Sequence, residues 1–378
     1  MNPLSTFKYI KSNMRKTLPI LISMLVGVFL IYLFSLITKS TSEMVNITQT
    51  NFFNKYTTVY SNNEEALPQN LLDRVSLDSN VTYVLPYKPV DGYLSYTAAF
   101  GGISISILNL QGEDIPKLLE SLSLNLIQGV LPKKNAEEVI IHKRYALQNK
   151  LKVGDYIGSE VSLTYGLKGK YKISGIVDGP TMINIINEEK EKGTKDKILK
   201  QAILIRVKDI KNKDLINYLT KNAPKNIVIT DYDSIYKQMI DMLSILDTLA
   251  VSLTGCIILV LCISLGNLNY ISFLNRKYEF GVLSAIGYKK TSLYFKLWKE
   301  NSYVCLIGYV AGIIVTTIIA VILNIAVFEP NGKLIPIWSA SGVLTALCIP
   351  IFVSFLSLIA PVKELRRTDP LDIIGGSI

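Results

Sequence analysis

The sequence predicts an α-helical membrane protein with four spans and one large extracytoplasmic α+β domain on a helical stalk. Three observations lead there. The 378 residues are 49% apolar with positive mean hydropathy, and the apolar residues gather in four uncharged runs, each long enough to cross a bilayer at about 1.5 Å per helical residue. The formal charge of +10 is concentrated beside those runs, as the positive-inside rule expects of cytoplasmic segments. Between the first and second runs lies a long stretch of short β-rich segments punctuated by turn residues.

Residues 1–17 carry Lys8, Lys11, Arg15 and Lys16 and no acid, so they read as a cytoplasmic N-terminus. The first span occupies 18–37. A cleaved signal peptide is the rival reading. The run is long for that, and Thr38-Lys39-Ser40-Thr41 offers no clean cleavage site, so an uncleaved anchor is expected. Beyond it, Val45, Phe52, Tyr56 and Val59 recur at helical spacing and predict a stalk helix over 38–60.

Residues 61–230 predict the α+β domain. Its strand-like runs include VTYVLPYKPV, AAFGGISISILNL, KQAILIRVKD and NIVITD, with helical patches near Ile115–Leu126 and Lys208–Lys221. The charge-dense stretch 188–200 reads as an exposed loop or helix. At 231–247 a second stalk helix is expected, because Ile235, Met239, Met242, Leu246 and Leu249 recur at intervals of four and three. Paired with the first seam it makes an antiparallel stalk; the plain alternative is an amphipathic helix packed on the domain.

The second span covers 248–273 and the third 302–327. Between them, 274–301 forms a cytoplasmic coupling loop or helix, with Arg276, Lys277, Lys289, Lys290, Lys296 and Lys299 against Glu279 and Glu300. An outer loop, 328–336, leads to the fourth span, 337–359, and a cytoplasmic tail, 360–378. Within the coupling segment a short helix, apolar at Phe280, Leu283 and Gly287 and basic outside, suits docking into a groove of a partner. Gly281 and Gly287 permit close approach or a tight turn.

Several function classes are set aside. No phosphate-binding G-x-x-x-x-G-K-[ST] loop occurs, so no nucleotide is expected on this chain. The four cysteines lie inside apolar runs without metal spacing, and the single histidine, His142, reads as a packing residue at a strand-to-helix turn. No cofactor or metal is expected. The positive charge is topogenic and lipid-facing, so no nucleic acid is expected either. No charged residue lies in the middle of a span, which argues against an ion-coupled transporter. Asn267 and Asn269 read as amides that cap or bond to a neighbouring helix.

The segment Arg276-Lys277-Tyr278-Glu279-Phe280-Gly281-Val282-Leu283-Ser284-Ala285-Ile286-Gly287 resembles the R-x-x-E-φ-G-φ-L-x-A-φ-G signature of FtsX-like ABC transporter permeases of the MacB, or type VII, group. Glu300 sits where that family often has Glu. The tail from Ala360-Pro361 through Arg367, Pro370 and Ile374 is similar to its closing pattern. Gly129-Val130-Leu131-Pro132, Glu137 to Ile141, Leu151 to Ile157 and Tyr171 to Val177 resemble its external core domain. Tyr278 and Ser284 depart from it, standing where basic residues are common.

The resemblance implies a permease subunit in a bacterial cytoplasmic membrane, multi-pass with both termini cytoplasmic, working as a homodimer or with a paralogue. Two copies of a separate ABC ATPase would bind ATP and Mg and engage Arg276, Glu279, Phe280, Gly281, Leu283, Ala285 and Gly287. The chain itself would be no enzyme. It would transmit the ATPase's movement across the membrane to drive export or extraction of a peptide, antibiotic, lipid or lipoprotein. The alternative is an FtsX-like scaffold that activates extracellular cell-wall hydrolases. An extracellular adaptor or hydrolase is a further implied partner.

Overall fold

The computed structural model describes residues 14–63, 65–97, 101–162, 164–187, 202–333 and 335–367, with the side chains of residues 14–16 and 91 also set aside. The basic residues of 1–16, the charge-dense stretch 188–200 and the end of the tail pattern from Thr368 lie outside the described residues. The chain divides into two compact units. One comprises Met1–Lys39, Ile245–Leu323 and Pro336–Ile378, and the other Ser40–Ser244 and Asn324–Ile335.

The first unit holds most of the long apolar helices. Four helical stretches are long and apolar enough to cross a bilayer: Thr17–Phe53, Tyr232–Leu274, Lys290–Asn331 and Ala340–Arg367. They are built on helices α1 (Met14–Val45), α6 (Tyr232–Leu274), α8 (Lys290–Leu323), α9 (Ala340–Leu356) and α10 (Ile359–Arg367). Helix α6 has 43 residues, about 65 Å at the α-helical rise and twice a hydrocarbon core. Hydrophobic attraction cannot hold helices together among lipid tails, so close packing and hydrogen bonds must. A β-carbon on Gly308 of α8 would lie 2.7 Å from Met24 Cβ, and one on Gly312 would lie 2.8 Å from Val28 Cβ. This G-x-x-x-G stripe lets α8 and α1 touch backbone to backbone. Asn269 donates to Asn301 Oδ1 at 3.1 Å and to Ser357 Oγ at 3.0 Å, and Asn301 donates to Ser354 O at 3.1 Å. The amide therefore bonds to neighbouring helices, as its position suggested. Ser339 caps α9 by accepting from Gly342 N.

The second unit is an α/β domain. Its strands are β1 (Tyr56–Ser61), β2 (Val81–Thr97), β3 (Gly102–Leu110), β4 (Asn125–Gly129), β5 (Glu138–His142), β6 (Tyr156–Ile157), β7 (Tyr171–Asp178), β8 (Asn184–Ile186), β9 (Ala202–Val207) and β10 (Ile227–Thr230). Its helices are α2 (Gln69–Leu77), α3 (Asp114–Ser121), α4 (Lys143–Asn149) and α5 (Asp214–Asn222). The sheet order is β10-β1-β9-β2-β3-β8-β5-β7-β4, with β6 beside β7. Only β3–β8 and β5–β7 pair in parallel among the described strands, which suits an α+β domain rather than a βαβ repeat. His142 ends β5 and caps α4: its Nδ1 accepts from Arg144 N at 3.2 Å, and its other nitrogen lies 3.3 Å from Gly179 O. Burial pushes its pKa down to about 4 against that carbonyl contact.

The first stalk seam requires correction. Helix α1 ends at Val45, a π-turn occupies Asn46–Thr50, a short helix ends at Phe53, and Tyr56 and Val59 sit on strand β1. Val45 packs in one core cluster, Phe52 and Tyr56 in a second and Val59 in a third. The physical reason is local: the β-branched run Thr57-Thr58-Val59 favours a strand, and pairing with β9 and β10 satisfies its backbone.

The second seam is helical but divided. Ile235 is buried and Met239 packs on the domain core, with Thr50 Oγ1 3.6 Å from Met239 Sδ. Leu246 is half-buried, whereas Met242 and Leu249 are exposed. Near the domain these segments are amphipathic elements packed on a sheet, the plainer of the two readings.

The outer loop is also more than a turn. Residues Asn324–Ile335 belong to the domain unit, where the Tyr96 hydroxyl donates to Gly332 O and Asn324 exchanges two hydrogen bonds with the Ile335 backbone.

Candidate functional site

Segment 276–300 is not a loop. After α6 ends, Arg276 turns the chain, and α7 (Lys277–Ala285) follows. Ile286 caps α7, and Gly287 takes φ +99°. Gly287 N donates to Ser284 O and Tyr288 N to Leu283 O, both at 3.1 Å, the paired bonds of a Schellman ending that calls for glycine at this position. Tyr288 packs back on the cluster containing Leu283, the apolar contact that accompanies such endings. Helix α8 then starts at Lys290 and continues into the third span.

One side of α7 is anchored. Phe280 is fully buried and, with Leu283, packs among Phe273, Leu293, Leu297 and Leu365. Gly281 is buried too. Arg276 lies 5.1 Å above the Phe280 ring and Lys296 lies 5.6 Å from it, placing two cations on one aromatic ring.

The same cations form an ion-pair chain. Arg276 donates to Glu300 at 2.6 Å and to Glu279 at 2.9 and 3.1 Å, and Lys296 donates to Glu279 at 2.7 Å. The Lys296 side chain is 3% exposed and that of Glu300 is 7% exposed, so these charges persist only because they are paired. Burial by itself raises the Glu279 pKa. Hydrogen bonds and positive charge from Arg276 and Lys296 outweigh burial and hold the carboxyl down to about 2. Lys277 reaches Glu364 of α10 at 3.6 Å. The end of α6, helix α7 and the start of α8 are thereby locked together.

The other side faces outward. Tyr278 is 65% exposed and Ile286 is 71% exposed, and Ala285 and Gly287 are exposed beside them. This corrects the expected docking face. Phe280 and Leu283 lie inside the chain, because a helix of nine residues must bury its apolar stripe to be stable at all. They position α7, and its outward side is Tyr278, Glu279, Ala285, Ile286 and Gly287. Sequence reasoning gave Lys296 no role beyond positive charge, because its partner Glu279 lies 17 residues earlier on a separate helix. Among the described residues, no group of three or more His, Cys, Asp or Glu side chains is placed to hold a metal ion.

Residues 251–370, which contain this site, match the family model for the FtsX-like permease C-terminal region. A stretch of 180 residues is 24% identical to the macrolide export ATP-binding/permease protein MacB of Mannheimia succiniciproducens; it covers 46% of this chain and only 27% of that protein. Among solved structures, the periplasmic region of MacB from Actinobacillus actinomycetemcomitans aligns at 12% identity and TM-score 0.29, over 52% of this chain and 97% of that one. The extracellular domain of the noncanonic ABC-type transporter YknZ aligns at 10% identity and TM-score 0.27, over 47% of this chain and all of that domain. Residues 251–370 are thus similar to the C-terminal region of FtsX-like permeases, and four helices among the described residues are long and apolar enough to cross a membrane.

Proposed function

We propose that this FtsX-like chain is the permease subunit of an ABC transporter, and that it converts ATPase movement into work by its external domain without passing cargo through the spans. The observation that carries this reading is the two-sidedness of α7. Its inner side is fixed by Phe280, Leu283 and the Arg276–Glu300 pair, and its outer side offers Tyr278, Ala285 and Ile286.

An ATP- and Mg-binding partner that grips the outer side moves the ends of α6 and α8 with it, because short ion pairs tie α7 to both. Helix α6 runs unbroken from Leu274 back to Tyr232, so it is a stiff rod for that movement. Two permease chains, identical or paralogous, complete the assembly, with the termini and segment 276–300 on the cytoplasmic side.

The domain unit supplies a surface for cargo: a cavity of about 340 Å³ lined by Phe52, Tyr60, Tyr87, Tyr93 and Ser106 among others, with no charged side chain among the described residues of its lining. Such a lining suits an uncharged, amphipathic part of an exported peptide, antibiotic or lipid.

Purification of the chain from its host membrane, with identification of the chains that accompany it, tests the proposal. An ABC ATPase is expected in the complex, with Tyr278 and Ile286 shielded from chemical labelling. A complex without an ATPase, or equal labelling of these residues in the complex and in the chain alone, would sink it.

A further inference from the structure

The unit that carries the spans has a second feature, away from the outer side of α7. Where α8 meets α9 and α10, an apolar groove of about 520 Å³ is lined by Thr291, Tyr294, Phe295, Trp298, Phe355, Leu358, Ile359 and Val362. Trp298 is stacked between Phe295 and Phe355 at 5.4 and 5.3 Å.

Two features distinguish this groove from an ordinary lipid-facing crevice. First, Trp298 Nε1 and Ser302 Oγ are buried with no hydrogen-bond partner among the described residues. They are four residues apart on one helix, hence one above the other on the same face. A buried donor left unpaired is costly, so two in a row leave room for an acceptor that the described residues do not supply.

Second, the rim is cationic. Lys299 lies 4.9 Å from the Phe295 ring and Arg366 lies 5.8 Å from the Tyr294 ring. Lys290 donates to Arg366 O at 3.2 Å, and Lys363 is exposed next to Val362.

We propose that this groove binds one anionic phospholipid. Its acyl chain lies along Phe295, Phe355 and Ile359, an ester oxygen accepts from Trp298, and the rim cations neutralise the phosphate. An apolar helix from a protein partner fits less well, because its backbone carbonyls are already bonded within the helix, whereas lipid esters bring unused acceptors. Basic pockets between spanning helices are suited to anionic headgroups for the same reason.

The test uses the two tryptophans of the chain. With Trp338→Phe, fluorescence reports Trp298 alone. The full chain is placed in nanodiscs containing brominated phosphatidylglycerol or brominated phosphatidylcholine at matched mole fractions. Phosphatidylglycerol should quench at a several-fold lower mole fraction. The preference should shrink with each cation removed by Lys299→Gln, Lys363→Gln or Arg366→Gln, and quenching by the two lipids should become equal when all three are removed. Should a variant fail to fold, salt added to the Trp338→Phe chain serves instead and should shrink the preference. Equal quenching by the two lipids would overturn the proposal. So would a preference indifferent to both charge and salt, or no quenching by either lipid because another protein covers the groove.

Discussion

The segment around 45–59 and the segment 276–287 look alike as sequence: each is short, amphipathic and next to a span. In the structure they behave oppositely. Val45, Phe52, Tyr56 and Val59 are all absorbed into the domain's own core clusters. Helix α7 instead buries one side and leaves Tyr278 and Ile286 uncovered. The contrast teaches that apolar spacing identifies a sticky face but not what covers it. Where a sheet is within reach, the chain covers the face itself. Where only a neighbouring helix pair is available, half the surface remains for a partner.

The largest effects should come from the buried ion pair. Arg276→Ala strands the buried Glu300 carboxylate and should cost about 3–5 kcal/mol in denaturant unfolding of the detergent-solubilised chain; Glu300→Ala should cost less, because Arg276 keeps its bonds to Glu279. Arg276→Leu combined with Glu300→Leu should recover much of that. A double variant no better than the singles would mean that the pair does not lock α7 as described.

A comparable loss, about 3–5 kcal/mol, is expected for Phe52→Ala, whereas Met242→Ala should stay within about 0.5 kcal/mol. If Met242→Ala costs as much as Phe52→Ala, another chain covers the exposed half of the second seam. Smaller than the Phe52 effect is that of Gly287→Ala, about 1 kcal/mol for placing a β-carbon in the left-handed region; no measurable change in unfolding would show that the turn after α7 is not held as seen.

Acid should separate the two units by window. His142 has its pKa lowered to about 4 in the domain, so the unfolded chain binds that proton first. Its stabilising contribution is complete above the ordinary histidine value of about 6.5 and falls as pH drops towards 4. Glu279 has its pKa lowered to about 2. Its contribution is complete above the ordinary carboxylate value of about 4.3 and is lost as pH falls towards 2. This second effect is the smallest, since the Glu279 side chain is 44% exposed and solvent screens it. Glu279→Gln should remove it and leave the first window intact; loss of both windows, or neither, would contradict the assignment.

Much of this was legible in the sequence. Uncharged runs marked the spans, and alternating β-rich runs marked β2, β3, β7, β9 and β10. The residues at 276, 279 and 287 were singled out before their geometry was known. What escaped had physical causes. Tyr56 and Val59 continue a helical spacing by coincidence, and only pairing with β9 and β10 makes them a strand. Strand β4 (Asn125–Gly129) was read partly as helix, because Leu126 continues the apolar period of α3. The loop 324–335 carries no marker of its docking, since a single hydroxyl, that of Tyr96, reaches it from far along the chain. Lys296 looked like one more surface lysine until Glu279 and Phe280 were placed around it.

The central claim is that α7 is fixed by its inner side and read by an ATPase through its outer side. Ile286→Glu tests this most directly, because Ile286 is exposed and contributes nothing to the buried cluster. Purified in parallel with the unsubstituted chain, the variant should unfold at the same denaturant concentration but lose the ATPase that accompanies the unsubstituted chain. Full retention of that ATPase by Ile286→Glu would contradict the account.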